Sequence, residues 1–160
     1  MSIFAALEVY RDIDSRNAAL NMAVDEALLE IATEPTIRFY RWDRAALSFG
    51  YFGKFADVEN YSSQHDIVRR WTGGGIVLHG EDLTYSIVIP ASDAAFAKSS
   101  MSIYEEIHAA ICDAFAVNGK QLELASDSTL SKRQSGSDQY STFNVQCSRA
   151  CLFNDSTHVT

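Results

Sequence analysis

The chain has 160 residues, 47% of them apolar and 21% charged, a composition of the ordinary globular range and long enough for one sizeable core. Its net charge of −8 argues against general nucleic-acid binding, which depends on Lys and Arg neutralising phosphates. No run approaches the roughly 20 consecutive apolar residues of a membrane span, and Met1-Ser2-Ile3-Phe4 lacks the basic flank of an export signal, so the expectation is a cytoplasmic protein with no membrane partner.

In chain order, the first predicted element is a helix over Asn17 to Thr33, with Leu20, Ala23, Val24, Ala27, Leu28 and Ile31 at the three-and-four spacing of one apolar face. Ser15 is placed to cap its start and Pro35 to close it. Thr36 to Trp42, rich in aromatic and β-branched residues, is followed by Asp43-Arg44 and by the apolar run Ala46 to Phe49, a pattern that predicts a hairpin. From Ile67 to Ile89 the pattern is strand, glycine loop, strand, tight turn at Gly80-Glu81-Asp82, and strand. In the last of these Leu83, Tyr85, Ile87 and Ile89 alternate with Thr84, Ser86 and Val88, so one face is expected to be buried and the other more polar. A second helix is predicted over Ser102 to Val117, where Ser102-x-x-Glu105 fits a capping box, Ile103, Ile107, Ile111 and Phe115 form a stripe, and Asn118-Gly119 ends it. Residues 125–142 carry neither period and are expected to be a long loop, either a cover over a ligand site or simply unordered. These elements predict a single α+β domain over 1–160, with helices packed on a mostly antiparallel sheet.

Three cysteines and four histidines, without a Cys-x-x-Cys or His-x-x-x-His pair, support neither a disulfide framework nor a metal site. The segment with chemical content is Arg69-Arg70-Trp71-Thr72-Gly73-Gly74-Gly75. Successive glycines after a strand let the backbone turn with positive φ and approach a ligand, with N–H groups free to face an anion. A guanidinium grips a phosphate or carboxylate with two parallel hydrogen bonds, and strand alternation sends only one of the two arginines into the site, Arg70 being the nearer to the loop. The plain alternative is a glycine-rich bend with solvated arginines, but a two-residue turn does not need three glycines. The loop lacks the Gly-Lys-Ser/Thr of a Walker loop. His79, at the end of the next strand, is placed to donate to a ligand carbonyl or to orient a neighbour.

These residues resemble the lipoate-protein ligases and octanoyltransferases of the biotin/lipoate protein ligase superfamily. Asn21-Met22-Ala23-Val24-Asp25-Glu26-Ala27-Leu28-Leu29 looks like the family's first helix, and Arg38-Phe39-Tyr40-Arg41-Trp42 with Leu47-Ser48-Phe49-Gly50 like its first hairpin. The most specific match is Arg69 through His79 followed by Asp82-Leu83-Thr84-Tyr85-Ser86. The resemblance implies a class II synthetase-like catalytic domain that attaches a lipoyl or octanoyl group to a lysine of a lipoyl carrier domain. In the ligases ATP, with Mg, activates lipoate as the adenylate; in the transferases octanoyl from acyl carrier protein passes through a cysteine thioester. The carriers implied are the glycine cleavage carrier protein and subunits of the 2-oxoacid dehydrogenases.

Arg70, Thr72, Gly73, Gly74 and Gly75 are then the expected substrate-binding residues, and His79 and Cys151 the expected catalytic ones. Ala150-Cys151 matches the family's Ala-Cys pair, although the following phenylalanine is shifted and the proline is absent; a buried structural cysteine is the plain alternative. The family's Gly-x-Lys-x-x-Gly segment would follow Thr160, so the chain is expected to be an incomplete catalytic domain. The alternative function is a truncated, non-catalytic acyl- or nucleotide-binding module.

Overall fold

A computed structural model of the chain describes residues 3–118. Its elements are β1 (Glu8–Arg11), α1 (Ala18–Ile31), β2 (Thr36–Tyr40), β3 (Ala46–Phe49), β4 (Asp66–Arg69), β5 (Ile76–His79), β6 (Thr84–Val88) and α2 (Ser100–Val117), with short 3-10 turns at Phe55–Asp57, Glu59–Tyr61 and Ala94–Ala97. Among the described residues no helix is long and apolar enough to cross a membrane. The predicted loop at 125–142, and Cys147 and Cys151, lie outside the described residues.

The strands form two three-stranded sheets, β1-β2-β6 and β4-β3-β5, so the fold is α+β. In each, the central strand pairs in parallel on one side, with Glu8 opposite Thr36 and Ser48 opposite Val68, and antiparallel on the other, with Ile37 opposite Ile87 and Ala46 opposite His79. Among the described residues antiparallel pairing thus accounts for two of the four ladders, fewer than the expected majority. The hairpin expected from Thr36 to Phe49 is not formed, since β2 and β3 lie in different sheets. The reason is burial: β3 is buried throughout and β2 nearly so, as central strands are, and the Trp42-Asp43-Arg44 turn carries the chain from one sheet to the other. For the same reason β4 and β5 flank β3 and do not pair across the glycine loop.

Both helices start differently from expectation. Asn17, not Ser15, caps α1, its side chain accepting from the Leu20 N–H at 2.8 Å. Ser99 caps α2 by accepting from the Ser102 N–H at 3.1 Å, so Ser102 lies inside the first turn. The α2 stripe does face the core: Ile103 and Ile107 are buried with Ile37, Tyr85, Ile87 and Ile89, and Ile111 packs against them.

Helix α1 buries a different face from the one its apolar spacing suggested. Ala18, Asn21, Met22 and Asp25 are inside, while Leu20 and Ile31 are exposed. The buried polar pair is matched from β2, β6 and the β1–α1 connection. Arg38 Nη1 donates to Asp25 Oδ1 (2.7 Å) and to the Asn21 carbonyl (3.0 Å), and its Nη2 donates to Asp12 Oδ2 (2.6 Å) and Asn21 Oδ1 (2.9 Å). Ser86 Oγ donates to Asp25 Oδ1 (2.7 Å) and the Tyr40 hydroxyl to its Oδ2 (3.1 Å). Burial pushes the Asp25 carboxyl above the usual carboxylate range, and the Arg38 charge with these hydrogen bonds offsets only part of it. Strand β6 is buried on both faces, its Tyr85 and Ile87 packing with α2 and its Ser86 bonded to α1, so the expected polar outer face is an inner one.

Candidate functional site

Strand β4 delivers Arg69 and Arg70 to opposite sides. Arg69 is exposed, its Nη1 donating to the Tyr51 carbonyl at 3.2 Å, with the guanidinium over the Phe49 ring. Arg70 is 4% exposed and runs beneath the glycine loop. Its Nη2 donates to the carbonyls of Gly73 (3.2 Å) and Gly75 (2.9 Å), and its Nη1 to Ser48 Oγ (3.0 Å). The guanidinium foreseen as a ligand clamp therefore holds the loop itself.

Of the three loop glycines only Gly74 has a positive φ, +97°, and a Cβ there would come within 3.2 Å of Arg70 Nη2. Gly73 and Gly75 are exposed, and a Cβ on either would meet no atom within 4 Å. Gly50, by contrast, underlies the loop: a Cβ on it would run into the Gly74 carbonyl oxygen and stand 2.8 Å from the Gly73 carbonyl carbon. Gly74→Ala is expected to cost about 1–3 kcal/mol through backbone strain, measured as a lowered urea midpoint.

His79 lies in the interior, both ring nitrogens engaged. With the proton on Nδ1, the ring donates to Asp82 Oδ2 (3.1 Å) and accepts at Nε2 from Ser48 Oγ (2.7 Å). Trp42 stacks on it at 4.0 Å between ring centroids, and the Trp42 Nε1–H donates to Thr84 Oγ1 at 2.8 Å. Thr84 in turn donates to Asp82 Oδ2 at 2.9 Å, and the Gly80 N–H to Asp82 Oδ1 at 2.8 Å. Burial raises the Asp82 carboxyl, yet hydrogen bonds from His79, Gly80 and Thr84 hold it below its ordinary value of 3.8. A carboxyl lowered on folding stabilises the fold above that ordinary value, and the contribution is lost as pH falls through the folded one. Asp82→Asn should therefore be less stable than the unsubstituted chain at neutral pH, with the gap narrowing as pH drops below 3.8. Urea midpoints followed against pH measure this, and a gap that stays constant as pH falls below 3.8 would refute it.

Beside the loop, a small cleft opens between α1 and β6, lined by Met22, Asp25, Leu29, Trp71, Thr72, Ser86 and Val88. Its walls are largely apolar, with the Asp25–Ser86 pair as a polar spot. Of the residues singled out in the sequence, Thr72 lines this cleft, Arg70 and His79 lie behind the loop, Gly73–Gly75 form its exposed edge, and Cys151 is outside the described residues. Ser48, Asp82 and Asp25 had been given no role. The signal for Ser48 was a hydroxyl inside an apolar strand run, and for Asp82 its place three residues after His79.

The exposed glycine loop is thus set beside a largely apolar cleft. Residues 17–138 match the family model of the lipoyl protein ligase A/B catalytic domain, and the chain belongs to that family. It is 38% identical over 138 residues to the octanoyltransferase LipM of Bacillus subtilis (strain 168), covering 80% of this chain and 50% of that protein. It is 42% identical over 125 residues to the LipM octanoyltransferase of Geobacillus kaustophilus, covering 71% and 45%, and 41% identical over 118 residues to that of Oceanobacillus iheyensis, covering 69% and 43%. The chain spans about half the length of the curated relatives it matches.

Proposed function

We propose that this chain supplies the acyl-binding part of an octanoyltransferase that serves lipoyl carrier domains. The observation that carries the reading is the continuity of the loop with the cleft: Trp71 and Thr72 line the cleft, and the next residues are the open, exposed Gly73–Gly75. Met22, Leu29, Trp71 and Val88 offer an octanoyl chain an apolar wall, and the glycine backbone approaches its carbonyl end. Thr72 and the three glycines are the substrate-contacting residues, while Arg70 and His79 act from behind by holding the loop. The transferase names of the relatives favour a carrier-bound donor over activation by ATP and Mg.

In this reading the Cys151 thiolate attacks the thioester carbonyl of octanoyl-loaded acyl carrier protein, and the carrier thiol leaves. The amine of a lipoyl-domain lysine then attacks the resulting Cys151 thioester, forming the amide and returning the thiol. The support for Cys151 is its match to the family's Ala-Cys pair. Mass spectrometry after incubation with octanoyl carrier protein is expected to find a hydroxylamine-sensitive octanoyl adduct on Cys151, formed without ATP and absent in Cys151→Ala. An adduct on Cys112 or Cys147, or acylation only with free octanoate and ATP, would overturn the assignment.

A further inference from the structure

We infer that Asp82, His79 and Ser48 work as a positioning relay that sets Arg70 and, through it, the turn of the glycine loop; this rests on the octanoyltransferase reading. The row Asp82–His79–Ser48 has the connectivity of a hydrolytic triad, in which the serine would be a nucleophile. Here the geometry excludes that use, because Ser48 has no exposed surface and its oxygen receives Arg70 Nη1. The same directional logic serves to aim a guanidinium.

Each step has one direction. Gly80 and Thr84 fix the Asp82 carboxylate, which selects the His79 tautomer with the proton on Nδ1. Nε2 then accepts a hydrogen bond from the Ser48 hydroxyl, and the Ser48 lone pairs turn toward Arg70. The other nitrogen of that guanidinium, Nη2, binds the carbonyls on both sides of Gly74 and so clasps the one residue of the loop with positive φ. Trp42, stacked on the imidazole, holds the ring plane. These three side chains lie in the interior behind the loop and are positioning residues, whose effect is felt in loop order and in use of the acyl donor.

The test combines amide hydrogen exchange with octanoyl transfer from octanoyl carrier protein to a lipoyl domain, in Ser48→Ala, His79→Gln and the double variant. Loss of one buried hydrogen bond in the relay is expected to speed exchange over residues 71–75 by about tenfold, with β3 and β6 keeping their protection. Transfer should show a raised KM for the donor with a smaller change in kcat, and the double variant should be no worse than the poorer single one, as members of one chain are non-additive. Unchanged loop exchange, exchange raised evenly through both sheets, or additive losses would overturn the relay. Should either single variant fail to fold, Asp82→Asn carries the same expectation. Absence of an octanoyl adduct on Cys151 of the unsubstituted chain would count against the octanoyltransferase reading alone, because loop exchange still decides the relay.

Discussion

Arg38→Met is expected to lower stability by about 3–5 kcal/mol, the cost of removing one partner from a buried ionic cluster. Arg38 is 1% exposed and gives four hydrogen bonds to Asp12, Asp25 and Asn21, with its guanidinium 4.1 Å from the Tyr40 ring centroid. A methionine fills much of the volume but leaves the Asp25 carboxylate inside with Ser86 and Tyr40 as its donors. The loss would take a large part of the whole margin of a domain this size. Adding Asp25→Asn to Arg38→Met should restore part of it, because the stranded charge is then gone. Urea unfolding followed by circular dichroism measures both steps. A loss below about 1 kcal/mol, the scale of a surface pair, would show that the cluster does not tie α1 to the sheet.

That cluster is also where the sequence was least legible. Apolar spacing located α1 but chose the wrong side of it, because hydropathy counts Asn21 and Asp25 as solvent-facing. Their burial depends on Arg38 and Ser86, which come from strands distant in sequence. The buried face of α2 was read correctly because Ile103, Ile107 and Ile111 meet an apolar surface, where periodicity and burial agree. Strands were found where β-branched and aromatic residues cluster, yet their partners were not, since pairing is nonlocal and local turn signals favour a hairpin. Thus Asp43-Arg44 suggested a return of the chain, whereas both flanking strands are central in separate sheets.

The candidate site was legible as a segment and not as a set of roles. The glycine run announced a close backbone approach, but no pattern in one sequence says which of three glycines takes the positive φ or that Arg70 faces inward to their carbonyls. His79 stood out as a titratable residue at a strand end; that it is flanked by Asp82 and Ser48 follows from the β3–β5 register, which sets Ser48 opposite Val77, two residues from His79. The cleft required β6 and α1 to be placed side by side, information carried by the tertiary fold alone.

Gly50→Ala is expected to damage the loop more than alanine at either outer loop glycine. A methyl group on Gly50 would overlap the Gly74 carbonyl oxygen and approach the Gly73 carbonyl carbon to 2.8 Å and the Gly74 nitrogen to 3.0 Å, all backbone atoms that no rotamer change can clear. The loop cannot lift away without loss. The Tyr51 N–H donates to the Thr72 carbonyl and the Arg70 N–H to the Phe49 carbonyl, both at 2.8 Å, so the segments are clamped on either side of the collision. Relief therefore requires breaking one of these bonds or the Arg70 hold on Gly73 and Gly75. Overpacking of this kind costs about 1–3 kcal/mol, and displacement of a substrate-positioning loop by an ångström is worth about 100-fold in rate. Gly73→Ala is the matched control, because its methyl group meets nothing within 4 Å and Gly73 has no positive φ. The comparison is octanoyl transfer and urea midpoint for the two variants side by side. Transfer by Gly50→Ala equal to that by Gly73→Ala, at equal stability, would show that the glycine loop does not depend on its seat against Gly50.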